Sequence, residues 1–350
     1  MLKRTFLGAA FSAAVLGFSV GVAPAQAAPM LNGSGATFPA PVYTRWAADY
    51  HKSAGVAVNY QGTGSSAGID AIKKKTVDFG ATDAPLGGDE LKKADLIQFP
   101  AVIGGVVPVY HLDNINNLVL NGEVLGDIYR MKITRWNDPK IAALNPNIKL
   151  PDSEIKVVRR SDGSGTTFMF TEYLAQVHDG WKQQGASKDP KWAEGTVGGK
   201  GNDGVAAQVK QLPGAIGYVE YAYAKKNKMT SASLINREKN IVAPTAENFA
   251  AAAASADWNA APGMGISLNN QAGAKAWPIT GATFILMHRV ADQPENSAEV
   301  LKFFNWALTK GQAQASSLEY IPLPPETVKT IQNNWKSIVD KNGQSVWTGA

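Results

Sequence analysis

The sequence predicts an α/β fold with mostly parallel sheets. Short apolar runs, typical of buried strands, alternate along the chain with segments whose apolar residues recur at helical spacing. Three strand-to-helix junctions carry glycines and hydroxyls, namely GSGAT at 33–37, GTGSS at 62–66 and GSGTT at 163–167. Because ligands of open α/β sheets bind beyond the carboxyl ends of the strands, these loops predict one shared site.

Residues 1–27 have the pattern of an export signal. Lys3 and Arg4 precede an apolar stretch over 6–22, and the small-residue motif AQA predicts cleavage after Ala27. A single anchoring helix is less favoured, because the apolar stretch is short for a membrane span and contains three glycines. The chain has no cysteine, which excludes disulfides, thiolate metal sites and a lipid-modified cysteine. We therefore expect an exported protein of the periplasm.

Size and charge narrow the class of function. About 320 residues remain after the signal, which is more than one hydrophobic core usually organises, so two domains are expected. The formal net charge is +5, and removal of Lys3 and Arg4 leaves +3. This mild excess favours small anions as ligands, and it is far from the basic stripe that nucleic-acid binding requires.

The first half of the mature chain contains three predicted strand–loop units. A short strand from Met30 enters the GSGAT loop, and two prolines at 39 and 41 then begin a helix, where a missing N–H is tolerated. Alternating apolar residues at 56–60 predict a second strand, which enters GTGSS and a helix that ends in three lysines. A third strand, 77–83, ends at Asp83, and 96–111 reads as one long apolar strand.

The strongest single signal lies at 155–167, where an apolar strand leads through Arg160 into GSGTT and a helix. A helix N-terminus offers unpaired N–H donors and the positive end of the helix dipole, and both favour anions. Arg160 adds a planar charged fork that suits two oxygens of a tetrahedral oxyanion, and Asp162 is placed to hold that fork. The alternative is an ordinary capped helix whose arginines lie in solvent.

The remaining elements are predicted from the same patterns. They are a glycine-rich loop at 198–204 that begins a helix, a strand at 214–223, a plain surface helix at 250–256, a last strong strand at 277–287, and two amphipathic helices around 300–307 and 328–338.

Six motifs carry a resemblance to a known family: GATFPAP at 35–41, NYQGTGSS at 59–66, VDFGATDAP at 77–85, VVRRSDGSGT at 157–166, GGKGNDG at 198–204 and GAIGYVEY at 214–221. With these motifs the chain resembles the periplasmic phosphate-binding proteins of bacterial high-affinity phosphate ABC transporters. The resemblance covers essentially the whole mature chain.

This resemblance implies the two-lobed, type II periplasmic binding protein fold, with the ligand cleft between the lobes. Residues 28–105 and 282–350 would form lobe I, and residues 106–281 would form lobe II. The implied function is to bind inorganic phosphate with high affinity and to deliver it to the transmembrane permease subunits of an ABC transporter. The family's members are monomers until they dock, and the resemblance implies no enzyme activity, cofactor, metal or nucleic-acid partner.

The resemblance also implies the binding residues. The positions that match the family's phosphate ligands are Thr37, Phe38 (through its backbone N–H), Ser65, Asp83, Arg160, Ser164, Gly165 and Thr166. Asp162 matches the residue that pairs with the arginine. Asp83 stands out, because a carboxylate repels an anion unless the ligand carries a proton to donate. Phosphate keeps such a proton at physiological pH and sulfate does not, so Asp83 is predicted to select phosphate. The alternative is an aspartate that caps the helix near Gly88 or ends the strand.

The main alternative function is an exported serine hydrolase or phosphatase that uses Ser66. Residues 64–68 match the G-x-S-x-G pattern of a nucleophile elbow, and His288 is the one histidine late enough in the chain to act as the base. A dinucleotide site is disfavoured because Ala67 stands where the third glycine belongs. The four histidines show no metal-ligand spacing.

Overall fold

The computed structural model describes residues 30–349. The predicted signal, its cleavage site and the anchoring alternative lie outside these residues. No helix within 30–349 is long and apolar enough to cross a membrane.

The described chain contains twelve strands. They are β1 (Met30–Gly35), β2 (Ala57–Gly62), β3 (Phe79–Thr82), β4 (Leu96–Tyr110), β5 (Val119–Leu120), β6 (Lys156–Arg160), β7 (Val197–Gly199), β8 (Ala215–Glu220), β9 (Thr230–Ser231), β10 (Ser233–Ile235), β11 (Ile241–Val242) and β12 (Thr280–His288).

Thirteen α-helices lie between and after these strands within residues 30–349. They are α1 (Ala40–Ala54), α2 (Ser65–Lys73), α3 (Gly88–Ala94), α4 (Gly122–Tyr129), α5 (Pro139–Leu144), α6 (Gly165–Val177), α7 (Asp179–Lys182), α8 (Gly201–Gln211), α9 (Tyr221–Lys226), α10 (Ala246–Ala253), α11 (Pro294–Thr309), α12 (Gln312–Ser317) and α13 (Pro325–Asn334).

The main sheet has two parts that share strand β4. Its strand order is β2-β1-β3-β12-β4-β8-β6-β7, with β9 paired to β4 beside this path. β4 pairs with β12 as far as Gly105 and with β8 from Val106 onward. We call the part with β1, β2, β3 and β12 the first lobe, and the part with β6, β7 and β8 the second lobe. A small sheet of order β11-β10-β5 completes the strands.

The predicted α/β architecture is present, but the sheet is mixed rather than mostly parallel. β1 pairs in parallel with β2 and β3, and β6 pairs in parallel with β7 and β8. β12 is antiparallel to both β3 and β4, and β4 is antiparallel to β8 and β9. The parallel units therefore lie toward the outer ends of the sheet, with antiparallel strands between them.

Aromatic side chains form part of the core in both lobes. α1 buries Val42, Tyr43, Trp46 and Tyr50 on one face, at the spacing of an amphipathic helix. Tyr43 and Phe79 both make edge contacts with Phe304 of α11. In the second lobe, the ring of Phe170 in α6 stacks on Tyr218 at 4.3 Å between centroids. These contacts fix α1 and α6, whose N-termini approach the predicted site.

Two elements differ from the sequence prediction. The strand predicted at 214–223 ends at Glu220, because the Glu220 side chain accepts a hydrogen bond from the Ala222 N–H and caps α9. The surface helix predicted at 250–256 begins earlier, as α10, and is not a plain surface helix. It buries Phe249, whose ring packs against the backbone of Gly105.

Candidate binding site

The three predicted loops meet between the two lobes. The Ser66 N–H donates to the Gly163 carbonyl at 3.0 Å, and the Gly165 N–H donates to the Ser65 hydroxyl oxygen at 3.1 Å. These bonds join the start of α2 in the first lobe to the start of α6 in the second. Strands β1, β3 and β6 all end at this point, as expected for a site at the carboxyl ends of parallel strands.

Arg160 is buried at the end of β6, with 2% of its surface exposed. Its guanidinium donates to both oxygens of Asp162, from Nε at 2.7 Å and from Nη2 at 2.5 Å. The Gly201 N–H adds a bond to the same carboxylate at 2.9 Å. Burial of Asp162 favours its neutral form, but these donors outweigh burial and hold the pKa of Asp162 below its usual value. The pair is therefore ionised, and the bonds to Asp162 fix the guanidinium group of Arg160 in position.

Asp83 lies in the site without hydrogen-bond donors on its carboxylate. It is 2% exposed, and neither of its carboxylate oxygens accepts a hydrogen bond from any residue between 30 and 349. Burial raises the pKa of Asp83 to about 7, although the nearby Thr283 hydroxyl, the charge of Arg160 and the Ser65 hydroxyl oppose this shift. The side chain does not cap α3, whose N-cap position is Gly87. A buried acceptor with no partner is costly, so the arrangement favours a ligand that donates a proton here.

The Ser65 hydroxyl connects the two lobes beside this carboxylate. Its oxygen accepts bonds from the Gly165 N–H at 3.1 Å and from the Asp83 N–H at 3.2 Å, which leaves the hydroxyl proton to donate. Gly165 packs so closely that a Cβ there would lie 2.5 Å from the Cβ of Asp83. Only glycine fits this position without movement of the two loops.

Helix α6 begins at the site with a capped N-terminus. Ser164 is its N-cap, and the Ser164 hydroxyl oxygen accepts from the Thr167 N–H at 3.0 Å. Thr166, in the first turn, is fully buried, and its hydroxyl oxygen lies 3.4 Å from Nη1 of Arg160. The first turn of this thirteen-residue helix therefore presents its N–H groups and hydroxyls beside Arg160.

Thr37 and Phe38 precede α1 on the opposite side. The Thr37 carbonyl accepts from the Tyr223 hydroxyl at 2.5 Å, and the Phe38 carbonyl accepts from the Tyr320 hydroxyl at 2.6 Å. The Phe38 ring packs over Gly104, where a Cβ would lie 2.8 Å from a ring carbon. The backbone of this turn is thus held from both lobes, and its N–H groups are fixed in direction.

All the predicted site residues lie together around one buried region, and the structure adds four residues that sequence reasoning did not assign. These are Asn202, Glu220, Tyr223 and Tyr320. Asn202 falls within the GGKGNDG motif, which was noted without a role. Tyr223 and Tyr320 contact residues 186 and 282 positions away, so no local pattern indicates them.

The hydrolase alternative finds no catalytic geometry. Ser66 lies at the start of α2, whereas Nε2 of His288 bonds the carbonyl of Ile72 near the end of the same helix, at 2.7 Å. Six residues of α-helix separate these points by about 9 Å, so His288 cannot act as the base for Ser66. Within residues 30–349, no group of three histidine or acidic side chains is arranged to hold a metal ion.

Comparison with known proteins identifies the family. Residues 21–310 match the model of the PBP superfamily domain. A phosphate-binding protein PstS from Pasteurella multocida is 50% identical over 324 residues, which cover 91% of this chain and 94% of that protein. Another PstS, from Haemophilus influenzae, is 48% identical over 322 residues, which cover 91% and 96%. The chain belongs to the PstS family of phosphate-binding proteins.

Solved structures share the PstS fold of this chain. A high-affinity periplasmic phosphate-binding protein, PfluDING, matches with a TM-score of 0.71 and 20% identity over 87% of this chain and 93% of that one. An ABC-type phosphate transport receptor from Vibrio cholerae matches with a TM-score of 0.54 and 21% identity over 84% and 100%. The predicted two-lobed periplasmic binding protein fold is thereby confirmed.

Proposed function

We propose that the protein binds inorganic phosphate between its two lobes and delivers it to the transmembrane permease subunits of an ABC transporter. Membership of the PstS family supports this function. The observation that carries it is the environment of Asp83. A buried carboxylate without a donor lies among Arg160, the Ser65 hydroxyl and the first turn of α6.

Each predicted ligand has a role that follows from its contacts. Arg160 supplies the positive charge, and the backbone N–H groups of Phe38 and Thr166 supply neutral donors at two helix N-termini. The Gly165 N–H donates to the Ser65 hydroxyl, so Gly165 contributes through the close approach of the two loops. The hydroxyls of Thr37, Ser65, Ser164 and Thr166 surround the remaining ligand oxygens. Asp162 holds the arginine. Asp83 accepts the proton that phosphate retains.

Selectivity for phosphate follows from Asp83. A fully ionised oxyanion about 4 Å from a carboxylate is repelled by roughly 4 kcal/mol at an effective dielectric of 20. Phosphate replaces this repulsion with a charge-assisted hydrogen bond, whereas sulfate has no proton to give. A site built around a ligand O–H discriminates against analogues that lack this group by a factor of about 10⁴ to 10⁵.

The same proposal includes the organisation and location of the protein. Residues 28–105 with 282–350 would form lobe I, and residues 106–281 would form lobe II. The change of β4 partner between Gly105 and Val106 supports the first of these boundaries. Cleavage after Ala27 would release the protein into the periplasm as a monomer. In this proposal the protein turns over no substrate and needs no cofactor.

Calorimetric titration with phosphate and sulfate at one ionic strength tests the proposal. The wild-type protein should bind phosphate and discriminate strongly against sulfate. Asp83→Asn retains the shape but offers a donor, so the phosphate-to-sulfate affinity ratio should fall more than phosphate affinity itself. Asp89→Asn, an exposed position with the same change of charge, is the matched control and should leave the ratio unchanged. An unchanged ratio in Asp83→Asn would show that the other donors discriminate.

A further inference from the structure

Asn202, the second residue of α8, is completely buried between two proposed phosphate ligands. Its side-chain nitrogen Nδ2 lies 2.8 Å from Oγ1 of Thr37 and 3.2 Å from Oγ1 of Thr166. Its backbone nitrogen lies 3.2 Å from the same Thr37 oxygen. One amide therefore bridges a hydroxyl of the first lobe and a hydroxyl of the second.

The orientation of this amide is fixed by a backbone group. The Glu220 N–H donates to Oδ1 of Asn202 at 2.8 Å. Because a backbone N–H can only donate, the oxygen of the amide must face Glu220. The NH₂ group must then face Thr37 and Thr166, and its two protons are available for the two hydroxyl oxygens.

These contacts determine which way both hydroxyls point. Thr37 Oγ1 accepts from the backbone N–H and from Nδ2 of Asn202. Thr166 Oγ1 accepts from Nδ2 of Asn202 and, at 3.4 Å, from Nη1 of Arg160. A hydroxyl has two lone pairs and one proton. With both lone pairs in use, each threonine can only donate to a ligand.

We propose that Asn202 is a positioning residue that fixes the Thr37 and Thr166 hydroxyls as donors, and that it thereby dictates where a bound phosphate carries its proton. This inference rests on the proposed function. Ligand oxygens that face the two threonines must be unprotonated, because two facing donors would repel. The proton of the ligand is then directed to Asp83, whose oxygens have no donor within residues 30–349.

The test compares Asn202→Ala with a matched control. Asn145→Ala also removes a buried amide, but within residues 30–349 the Asn145 side chain bonds only the backbone of Val119 and Ile141, neither of which is a proposed ligand. Phosphate is titrated calorimetrically into wild type and both variants, at one pH above and one pH below the second pKa of phosphate.

In Asn202→Ala the hydroxyls are free to rotate and to accept. Binding of the doubly charged phosphate should weaken by about 10- to 100-fold, as expected when oriented buried donors lose their fixed partner. The penalty should be smaller at the lower pH, where the ligand carries a second proton that a freed hydroxyl can accept. The titratable groups that face this region, Arg160, Asp162, Asp83 and Glu220, are present in both proteins, so the comparison holds them constant.

The outcomes separate this inference from the function on which it rests. If wild type fails to bind phosphate, the proposed function is wrong. If wild type binds but the Asn202→Ala penalty is zero or equal at both pH values, Asn202 has no orienting role. The same pH pattern in Asn145→Ala would also overturn the inference. Should Asn202→Ala not fold, Asn202→Ser fills part of the same space with a small polar side chain, also removes the NH₂ group, and undergoes the same titrations with the same expected pattern.

Discussion

Arg159 and Arg160 are adjacent on β6, and their side chains point in opposite directions. Arg160 points into the site, whereas Arg159 points away, with Nη1 on the Arg160 carbonyl at 3.0 Å and Nε 3.4 Å from the Thr196 hydroxyl. This alternation is that of a strand, in which successive side chains point to opposite faces.

Arg160→Ala should therefore be the most costly single substitution for phosphate binding. It removes the charge-assisted donors and leaves the partly buried Asp162 without its counter-charge, so we expect a loss of at least about 3 kcal/mol in binding free energy. Titration of Arg160→Ala beside Arg159→Ala checks this, with melting curves to establish that both variants fold. A larger loss in Arg159→Ala would contradict the assigned roles.

How far the sequence predicts individual residues depends on how local their contacts are. Arg160 bonds Asp162 and Thr166, and Ser164 bonds Thr167, so these contacts span at most six positions and one short stretch of sequence contains all of that geometry. Asn202 reaches Thr37 across 165 positions, and no periodicity indicates such a contact. The family resemblance named the proposed ligands and Asp162, but not Asn202, Tyr223 or Tyr320.

At the scale of elements, the start of α6 can lie close against the first lobe because Gly165 has no side chain. The Cβ of an alanine there would lie 2.5 Å from Ser65 Oγ and from the Cβ of Asp83. Both contacts cross from one lobe to the other, so they arise only when the loops meet.

Gly165→Ala should weaken phosphate binding while the ligand-free protein melts no lower. The overlap should cost about 1–3 kcal/mol of binding free energy. Replacing glycine where the backbone permits it stabilises by about 0.4–1 kcal/mol. Gly87→Ala is the matched control, since its φ is −70° and no atom lies within 4 Å of the added Cβ. Equal phosphate affinity in wild type and Gly165→Ala would refute the close approach.

Element boundaries were predicted less well than element types. The alternating aromatics of 214–223 continue past Glu220, yet the capping bond of that side chain begins a helix there. The alanines around α10 indicate a surface helix, but Phe249 anchors it against the glycine backbone of β4. In both cases a single contact outweighs the local pattern.

For the whole molecule, a site shared by two lobes couples ligand binding to stability. A ligand that binds only the native state stabilises it by about 4 kcal/mol at 1,000 times its dissociation constant. Each kcal/mol raises the melting temperature of a domain of about 150–250 residues by about 2–4 °C. Thermal melts with millimolar phosphate should therefore shift upward by several degrees, and sulfate at equal ionic strength should shift them far less. An absent phosphate shift would count against the shared site.

A second whole-molecule prediction concerns Glu220, which is fully buried and lies 2.9 Å from the Tyr320 hydroxyl. The Tyr320 hydroxyl is placed to donate to the Phe38 carbonyl, at 2.6 Å, and to Oε2 of Glu220, and its single proton serves one of them at a time. Burial raises the pKa of Glu220 well above its ordinary value of 4.5, and the nearby Asp83 carboxylate adds to the shift.

Because the folded pKa of Glu220 exceeds the unfolded one, its contribution to stability is complete below about pH 4.5 and is lost as the pH rises through the folded value. Glu220→Gln has no proton to lose at this position. The free energy of unfolding of wild type relative to this variant should therefore decline with rising pH in denaturant titrations. A difference that is constant with pH would mean that Glu220 is ionised in the folded protein.

The overall topology shows where sequence reasoning reaches its limit. The βα units were recognised from alternating patterns, and their parallel pairing followed from them. The antiparallel centre did not, because β12 pairs with β3 through Phe284 and Thr82, which are far apart in sequence. The sequence of a buried apolar strand does not indicate which strands it pairs with.

Because β12 lies between β3 and β4, the first lobe cannot be completed until late in synthesis. The second-lobe strands β6, β7 and β8 and their β4 partner lie within residues 106–220, whereas β3 and β4 each keep an open edge until residue 288 has been made. At about 5–20 residues per second, ribosomal synthesis takes roughly 10 to 35 seconds from residue 110 to that point. Open strand edges invite aggregation. The lobe whose first strands are translated first is thus the last that can be completed, and we expect its open edges to need shielding during this interval.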